Sequence, residues 1–483
     1  MTHWRVLAAV SAISWGGYFI FDIPAALSIS LSTHFSLPAH QFAYLVSLLY
    51  TVYSIPNIVL PFLSGPAVQR FGERAVLLGT ISSILLGQLL FALSIQAKLG
   101  FGLVAGRAFL GLGNEVIGVI GYEIITRWFQ DRGLSLALAI NLGAGRLGSV
   151  TNSVIVPRLV SSYGIILATW IATALALGVV AISAVYLLGI TQPFHESPLL
   201  LEEGGNPSPS FFKRLPFRQF PRLYWHLALL CPLSYGCLTF TNSAQRFLAV
   251  RFYNGDQQAA GSAMSIKFIL SGILVPTFGF LLDRFSSNKK NSSPPCALVA
   301  SNILLFLGHG LFLMKAVSSS PVFPLCLLGT ADALLSVSFW ASAVKCLSQT
   351  RSQLQSQSQS RPGAFSEMET ATTPLLKSED EPILESFAEL LHDSAGIEDE
   401  ENPRSTGSSP TGSSSSPGSD ANSDSATRTF GMGILASLMN LSAAVVPVPL
   451  AMMETVAGFS GLEGVFVVLA CLGTLAALRL VWL

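Results

Sequence analysis

Gly65-Pro-Ala-Val-Gln-Arg-Phe71 ends the second long apolar segment of this chain, and Gly279-Phe-Leu-Leu-Asp-Arg-Phe285 ends the eighth. Both stretches follow the pattern G-x-x-x-[D/Q]-R-F. They lie at equivalent points of two halves that each hold six apolar segments. Such a repeat indicates a duplicated helical bundle. Membrane proteins built from repeats bind small molecules where the repeats meet, near the middle of the bilayer. The sequence therefore predicts two related bundles with a binding site between them.

The composition is that of a membrane protein. Hydrophobic residues make up 51% of the 483 residues, charged residues make up 11%, and the mean hydropathy is +0.57. A helix needs about 20 apolar residues to cross a bilayer, and the sequence holds twelve such segments. They begin near residues 6, 41, 75, 100, 134, 165, 223, 258, 295, 322, 430 and 463. We predict an all-α membrane protein with twelve transmembrane helices in two pseudo-symmetric six-helix bundles.

Two polar stretches divide the chain into five regions. The predicted regions are an N-terminal bundle (1–190), a central cytosolic loop (191–222), helices seven to ten (223–347), a Ser-rich loop (348–428) and helices eleven and twelve (429–483). The Ser-rich loop is also rich in Pro, Gly, Asp and Glu. A segment of that composition buries too little apolar surface to fold, so we expect it to be disordered.

Basic residues concentrate in one set of loops. These residues are Arg5, Arg70, Arg74, Arg127, Arg132, Lys213, Arg214, Arg218, Arg222, Arg284, Lys289 and Lys290. By the positive-inside rule, both termini and both long loops face the cytosol. The central loop also contains Glu196-Ser-Pro-Leu-Leu200-Leu201, which fits the acidic dileucine pattern of sorting signals. Glu196, Leu200 and Leu201 are thus a candidate sorting signal, although so short a pattern also arises by chance.

The repeated loop motif resembles the G-x-x-x-D-R-x-G-R signature of the major facilitator superfamily. The resemblance implies a charge network on the cytosolic side that holds one conformation closed. Its candidate gating residues are Gly65, Arg70, Arg74, Arg107, Gly279, Asp283 and Arg284. Gln69 replaces the acidic residue of the first copy, so we expect the latch there to be weaker. Basic residues in such loops also occur in membrane proteins of any function.

Several charged residues lie within the apolar segments themselves. Asp22 lies in the first segment, Arg107 and Glu115 in the fourth, and Arg146 in the fifth. A charge at the bilayer centre costs roughly 2.5–3.5 kcal/mol on insertion scales, so such side chains usually line a cavity or pair with each other. Glu115 and Arg146 could neutralise one another across a cavity. Alternatively, they form an ion pair that never contacts a substrate.

A cavity with a carboxylate and a guanidinium suits a zwitterion. Arg146 would bind a carboxylate in bidentate fashion, while an acidic residue would bind an amine. Asp22 precedes Pro24, which removes a backbone donor and kinks a helix, so Asp22 is a candidate substrate or proton site. The alternative is an acid that satisfies the backbone groups freed by the kink. In the second half, the polar and aromatic candidates are Asn242, Asp332, Phe339 and Trp340.

A narrower resemblance covers nearly all the apolar segments. Its main motifs are Tyr18-Phe-Ile-Phe-Asp-Ile-Pro-Ala-Ala-Leu27, Leu49-Tyr-Thr-Val-Tyr-Ser-Ile-Pro-Asn57, Gly111-Leu-Gly-Asn-Glu115 and Ala144-Gly-Arg-Leu-Gly-Ser149. They resemble the branch of the superfamily that comprises the lysosomal dipeptide transporters. The resemblance implies export of dipeptides from lysosomes, cavity positions at Glu115 and Arg146, and a heavily glycosylated lysosomal membrane protein as accessory subunit. The candidate substrate-binding residues are Asp22, Tyr50, Tyr53, Asn57, Glu115, Arg146, Asn242 and Trp340.

These patterns favour a secondary transporter of small organic solutes, with dipeptides as the first candidate and the lysosomal or vacuolar membrane as its location. The plasma membrane is the alternative location. A proton-coupled symporter for organic anions or amino acids is the alternative transporter. A transceptor or trafficking scaffold whose long loop recruits partners is the alternative of another class. We expect no enzymatic activity, cofactor, metal or nucleic-acid partner, since no motif indicates one and the net charge is zero.

Overall fold

The computed structural model describes residues 2–129, 134–190, 220–286, 293–314, 320–359 and 418–482, and the regular structure in these ranges is helical. The helices are α1 (Thr2–Ala26), α2 (Ser28–His34), α3 (Ala39–Ser54), α4 (Leu60–Phe71), α5 (Glu73–Gln96), α6 (Gly100–Phe129), α7 (Leu134–Ile190), α8 (Arg222–Leu238), α9 (Thr241–Phe252), α10 (Gln257–Ser286), α11 (Ser293–Leu313), α12 (Val322–Gln359), α13 (Gly418–Val445) and α14 (Pro447–Trp482).

The helix lengths are consistent with twelve membrane crossings. In the described ranges, nine helical segments are long and apolar enough to span a bilayer. One of them covers 54 residues, which as a straight helix would measure about 80 Å, far more than the roughly 30 Å of a hydrocarbon core. Gly164 interrupts this segment, within α7, with φ 76°. Gly458 interrupts a second long segment, the 52 residues Gly431–Trp482 of α13 and α14, with φ 63°. Each of these two long segments therefore accommodates two crossings.

The second predicted crossing is a broken helix. It consists of α3 and α4, joined by a 3-10 turn at Pro56–Ile58. Proline cannot donate the backbone hydrogen bond that a continuous helix requires at that position. The side chain of Asn57 caps this break, donating to the Tyr53 carbonyl oxygen at 3.1 Å. Together with two crossings in each of the two interrupted segments, this pair is consistent with the predicted twelve crossings.

Each half of the chain packs around its own apolar core. One core runs from Val6 to Leu187 and includes Phe19, Phe91 and Phe129. The other runs from Phe220 to Leu480. The two halves meet along α7 and α10, which places the middle of both bundles at a shared interface.

Two loop boundaries differ from the sequence prediction. The prediction of disorder over 348–428 is wrong at both ends, because α12 continues to Gln359 and α13 begins at Gly418. The polar run before Gln359 is rich in Gln, which favours helix even outside an apolar segment. Residues 360–417 and most of the central loop, including Glu196, Leu200 and Leu201, lie outside the described residues.

Glycines bring α5 and α6 into close contact. A Cβ atom on Gly87 would lie 2.6 Å from the Gly106 carbonyl oxygen, and one on Gly106 would lie 2.7 Å from that of Gly87. No side chain fits at such distances, so the two backbones touch directly. Small residues allow such tight packing between membrane helices. Arg107 follows Gly106 in α6, so this contact also fixes how far Arg107 lies from either end of the bundle.

The two halves are joined at the face where α1 ends, which we name the closed face. There the Gln257 side chain accepts hydrogen bonds from the Ser30 amide and hydroxyl at 3.0 Å and donates to the Ala26 carbonyl oxygen. The Ser47 hydroxyl donates to the Pro447 carbonyl oxygen at 2.8 Å. Because these bonds link the first half to the second, they hold the bundles together on this side.

An ion pair reinforces the closed face. Arg246 lies 2.6 Å from Glu454, and both side chains are largely buried. The Arg246 guanidinium also packs 5.2 Å from the ring of Phe42 in the first half and 5.7 Å from Phe459. By the positive-inside assignment this face is lumenal, which remains a prediction. The structure therefore represents a carrier whose predicted lumenal side is shut.

Candidate substrate site

Six charged side chains lie in the middle of the molecule, and we name them the central charge set. They are Asp22 of α1, Arg107 and Glu115 of α6, Arg146 of α7, Lys267 of α10 and Asp332 of α12. Three are acids and three are bases, so the set is formally neutral. Four come from the first half and two from the second, as expected for a site between bundles.

Arg146 pairs with the second half of the protein. Its Nη2 atom lies 3.4 Å from Oδ1 of Asp332, and its side chain remains 27% exposed. The predicted pairing with Glu115 is therefore wrong. Gly272 explains the choice, because a Cβ atom there would lie 3.4 Å from Arg146 Cβ. With no side chain at position 272, α10 passes close to Arg146 and the guanidinium reaches the second bundle.

Asp332 is held from three directions. Besides Arg146, it accepts a hydrogen bond from the Ser271 hydroxyl at 3.0 Å, and Lys267 Nζ lies 3.8 Å away. Lys267 in turn donates to the Thr241 hydroxyl at 2.9 Å. Lys267 and Asp332 are both at least 96% buried, so neither charge is compensated by water. Buried charges of this kind require such pairing.

Lys267 is a member of the site that the sequence reasoning missed. It lies in the middle of the eighth apolar segment, between Ile266 and Phe268. The same rule that singled out Asp22 and Arg146, a charge inside a membrane-length apolar run, identifies Lys267 as well. Asp332 was recognised as a polar candidate of the second half but was not included among the predicted binding residues.

Arg107 lies in a cage of aromatic rings. Its guanidinium carbon is 5.3 Å from the ring centre of Phe21 and 5.0 Å from those of Tyr50 and Tyr53. Arg107 is 1% exposed, and its Nε and Nη2 atoms have no hydrogen-bond partner among the described residues. The aromatic faces compensate part of the cost of burying this cation. The structure thus places Arg107 beside two predicted binding residues, away from the exposed loop arginines with which the sequence grouped it.

Asp22 lies between cations of both halves. It is 3% exposed, and its Oδ2 atom has no hydrogen-bond partner in the described ranges. It interacts electrostatically with Lys267, Arg107 and Arg146. Asp22 is therefore central, but it is shielded from solvent in this conformation; its role as a substrate or proton site stays a prediction.

Glu115 is more accessible than Asp22. It is partly buried and lies near the hydroxyl of Tyr53, which also accepts a hydrogen bond from Asn114 at 2.8 Å. Tyr18, 44% exposed, interacts electrostatically with both Glu115 and Arg146. A cavity of about 50 Å³ lies beside Tyr18 and Asn114, enough for water. Glu115 and Arg146 are thus the accessible acid and base of the central charge set.

The remaining predicted binding residues, Asn57, Asn242 and Trp340, lie in three different environments. Asn57 is fully buried at the break between α3 and α4. Asn242 lines a cavity of about 30 Å³ at the closed face, together with Tyr50 and Arg246. Trp340 packs edge-on against Phe339, with ring centres 5.4 Å apart. Asn57 therefore stabilises the break between α3 and α4, whereas Asn242 lies at the closed face.

Apart from Arg107, the predicted gating residues lie in α4, at the start of α5 and near the end of α10. Arg70 and Arg74 are exposed, and Arg70 packs 5.6 Å from the ring of Phe71. Gly65 lies within α4. Gly279, Asp283 and Arg284 lie in the last two turns of α10.

An ion pair at the same end was missed by the sequence reasoning. Glu73, which is buried, lies 2.7 Å from Arg127 at the end of α6. Glu73 directly follows the signature glycine Gly72, and this position was the available signal. The pair ties α5 to α6 within the first half.

The described residues contain no group of three or more His, Cys, Asp or Glu side chains that could hold a metal ion. What the site can do is electrostatic. It presents opposite charges to a small polar molecule. In this buried region a charged group is stabilised mainly by pairing with an opposite charge.

Comparison with known proteins finds similar transporters. The chain is 27% identical to the lysosomal dipeptide transporter MFSD1 of Bos taurus over 346 residues, covering 69% of this chain and 70% of that protein. MFSD1 of Danio rerio is also 27% identical, over 348 residues, covering 69% of this chain and 72% of the relative. The probable nitrate/nitrite transporter NarK2 of Mycobacterium tuberculosis is 26% identical over 294 residues, 58% of this chain and 67% of that one.

A solved structure shares the fold. The crystal structure of the nucleoside transporter NupG matches with a TM-score of 0.62 at 12% identity, covering 98% of each chain. At this identity the match shows the fold alone. The family model of the Major Facilitator Superfamily matches residues 7–356. With this match over most of the chain, and with the two-bundle fold, the protein is a multi-pass membrane transporter that belongs to the Major Facilitator Superfamily.

Proposed function

We propose that this protein moves dipeptides across a lysosomal or vacuolar membrane by alternating access of a central site. The relatives at about 25% identity that carry the name lysosomal dipeptide transporter support both the substrate and the location. The accessory glycoprotein implied by the resemblance is part of this proposal. The site geometry supports a zwitterionic substrate.

The observation that carries the proposal is the accessibility of Glu115 and Arg146. In the central charge set these two side chains keep contact with solvent, and they have opposite charges. A guanidinium binds a carboxylate through two parallel hydrogen bonds. Arg146 would thus bind the C-terminal carboxylate of a dipeptide, and Glu115 would bind its amino group.

Charge balance points to the same class of substrate. The central charge set is neutral, with Asp22, Glu115 and Asp332 opposing three bases. A substrate with a net charge would leave an uncompensated charge in the membrane interior, which costs several kcal/mol. A zwitterion adds one charge of each sign and leaves the balance unchanged.

Substrates with capped termini test the proposal. Each cap removes a hydrogen bond to a charged group, worth roughly 1.5–3 kcal/mol, so N-acetylated and C-amidated dipeptides should bind about tenfold to a hundredfold more weakly. We expect free dipeptides of varied sequence to compete for uptake into liposomes containing the purified protein. Equal competition by free and capped dipeptides, or competition by sugars alone, would contradict the proposal.

Proton-coupled symport is a second candidate mechanism, and one observation favours it. Asp22 is buried among three cations, and its Oδ2 atom has no hydrogen-bond partner in the described ranges. Such an oxygen can take up a proton without losing an existing hydrogen bond. A membrane-buried acid of this kind is a common element of proton relays.

Accumulation against a concentration gradient distinguishes the two mechanisms. If Asp22 carries the proton, liposomes with the wild-type protein should accumulate dipeptide when a pH gradient is imposed, and Asp22→Asn should only equilibrate it. Asp256→Asn is the matched control, because Asp256 is exposed at the start of α10 and bonds only local backbone amides. A wild-type protein that equilibrates dipeptide at every imposed gradient would exclude coupling and leave facilitated transport.

A further inference from the structure

Without a substrate, Arg146 already binds a carboxylate. Oδ1 of Asp332 lies 3.4 Å from Arg146 Nη2, at the group that would bind the C terminus of a dipeptide. The two residues belong to different halves, α7 in the first and α12 in the second. This ion pair therefore also joins the bundles near the middle of the membrane.

Asp332 would keep other partners if Arg146 moved away. Its other oxygen, Oδ2, keeps a hydrogen bond from Ser271 at 3.0 Å and lies 3.8 Å from Lys267. A buried carboxylate without partners would be strongly unfavourable. Because Ser271 and Lys267 come from α10 of the same half, they stay with Asp332 when Arg146 turns to another anion.

We propose that Asp332 is an internal counter-ion that takes the place of the substrate carboxylate at Arg146 in the empty carrier, and that Lys267 sets how readily it gives way. The inference rests on the proposed function, since it requires a substrate with a free carboxylate. Asp332 is thus a specificity-determining residue, and Lys267 is a positioning residue that acts through it.

Two consequences follow from this competition. A substrate carboxylate must displace Asp332, so the strength of the internal pair limits affinity. The empty carrier must also return to its starting conformation with Arg146 neutralised, and Asp332 provides that neutralisation. Net transport requires the empty carrier to return to its starting conformation. Exchange of one substrate molecule for another does not require that return.

Variants of the two residues should shift the KM in opposite directions. Asp332→Asn removes the competitor, so the KM for a free dipeptide should fall, by about three- to thirtyfold for an ion pair of this exposure. Lys267→Gln leaves Asp332 dependent on Arg146, so the KM should rise by a similar factor. Because Lys267 acts through Asp332, the double variant should keep the low KM of Asp332→Asn. A merely structural role would impair both single variants in the same direction.

The ratio of exchange to net transport gives a second readout. Asp332→Asn should raise this ratio, because its empty carrier returns with Arg146 unpaired. Both rates are measured in liposomes, with size-exclusion chromatography of the purified variants as the test of folding and Asp256→Asn as the control.

Unchanged KM values, or shifts of equal sign in folded variants, would overturn the inference while wild-type dipeptide uptake still upheld the proposed function. A wild-type protein that takes up no dipeptide would refute the proposed function and this inference with it.

Discussion

Arg146→Gln is expected to abolish dipeptide transport, with a fall in kcat/KM of about a hundredfold or more. The variant loses the bidentate, charge-assisted contact to the substrate carboxylate, and hydrogen bonds to charged groups contribute roughly 1.5–3 kcal/mol each. It also removes the cross-bundle pair with Asp332 at 3.4 Å. Uptake of a radiolabelled dipeptide into liposomes measures the loss.

The same variant should remain folded. Removing one member of a buried ion pair can cost 3–5 kcal/mol when the partner is left alone. Asp332 is not left alone, because Lys267 and Ser271 still contact it, and Arg146 itself is partly exposed. We therefore expect a monodisperse protein with a modest decrease in melting temperature.

Arg158→Gln is the matched control for this prediction. Arg158 is exposed and lies about three turns after Arg146, towards the end of the same transmembrane segment. There it donates to the Val154 carbonyl oxygen. That variant should transport normally. If Arg146→Gln transports as well as Arg158→Gln, Arg146 does not bind the substrate and the zwitterion argument fails.

The sequence predicted which segments hold the central site but not how its charges pair. Asp22, Glu115 and Arg146 stand out because each interrupts an apolar run, and the cost of a charge in the bilayer is a local property. Pairing is not local. Arg146 meets Asp332 because Gly272 lets α10 approach α7, a contact between residues that are 126 positions apart.

The role of Arg107 shows the same limit. Arg107, Gly111 and Glu115 are four residues apart in α6, and all three lie near Tyr53 of α3. That the guanidinium enters a cage of Phe21, Tyr50 and Tyr53 depends on how α1 and α3 pack against α6. No spacing within α6 contains that information, so the sequence grouped Arg107 with the loop arginines.

The duplicated architecture was easier to predict because the same motif occurs in both halves of the sequence. The repeated motif after segments two and eight and the lengths of the apolar runs both follow from the sequence, and the family match and the fold confirm the superfamily. The interruptions at Gly164 and Gly458 lie close to the predicted starts of the sixth and twelfth segments, near residues 165 and 463. The closed face, in contrast, exists in only one of the conformations that the carrier adopts, so the sequence alone did not predict it.

Gly261→Leu is expected to prevent the closed face from forming. Gly261 of α10 is buried against α7 of the first half. A Cβ atom there would collide with the Ser153 carbonyl oxygen and lie 3.0 Å from Pro157 Cγ. Backbone cannot yield as a flexible side chain does, so the larger residue should disfavour the closed conformation by about 3 kcal/mol or more. This corresponds to roughly a hundredfold fall in its population.

Transport and accessibility together measure that effect. Because alternating access requires each face to close in turn, Gly261→Leu should lose net transport and exchange alike. A cysteine at position 47, introduced in place of the serine that bonds to Pro447 across the closed face, should react faster with a membrane-impermeant maleimide in the Gly261→Leu background. The six native cysteines are replaced in both backgrounds, so that the label reports on position 47.

Gly178→Leu provides the control, because a Cβ atom at Gly178 of α7 would meet nothing within 4 Å. It should leave both transport and labelling near the wild-type values. A Gly261→Leu protein that transports normally would show that α7 and α10 need not touch at this point in any step of the cycle. The contact that closes this face would then have to lie elsewhere, at Gln257 or at the Arg246–Glu454 pair. Loss of transport with unchanged labelling would likewise contradict the prediction, because it would mean that the substitution acts within one bundle and not on the closure between the two.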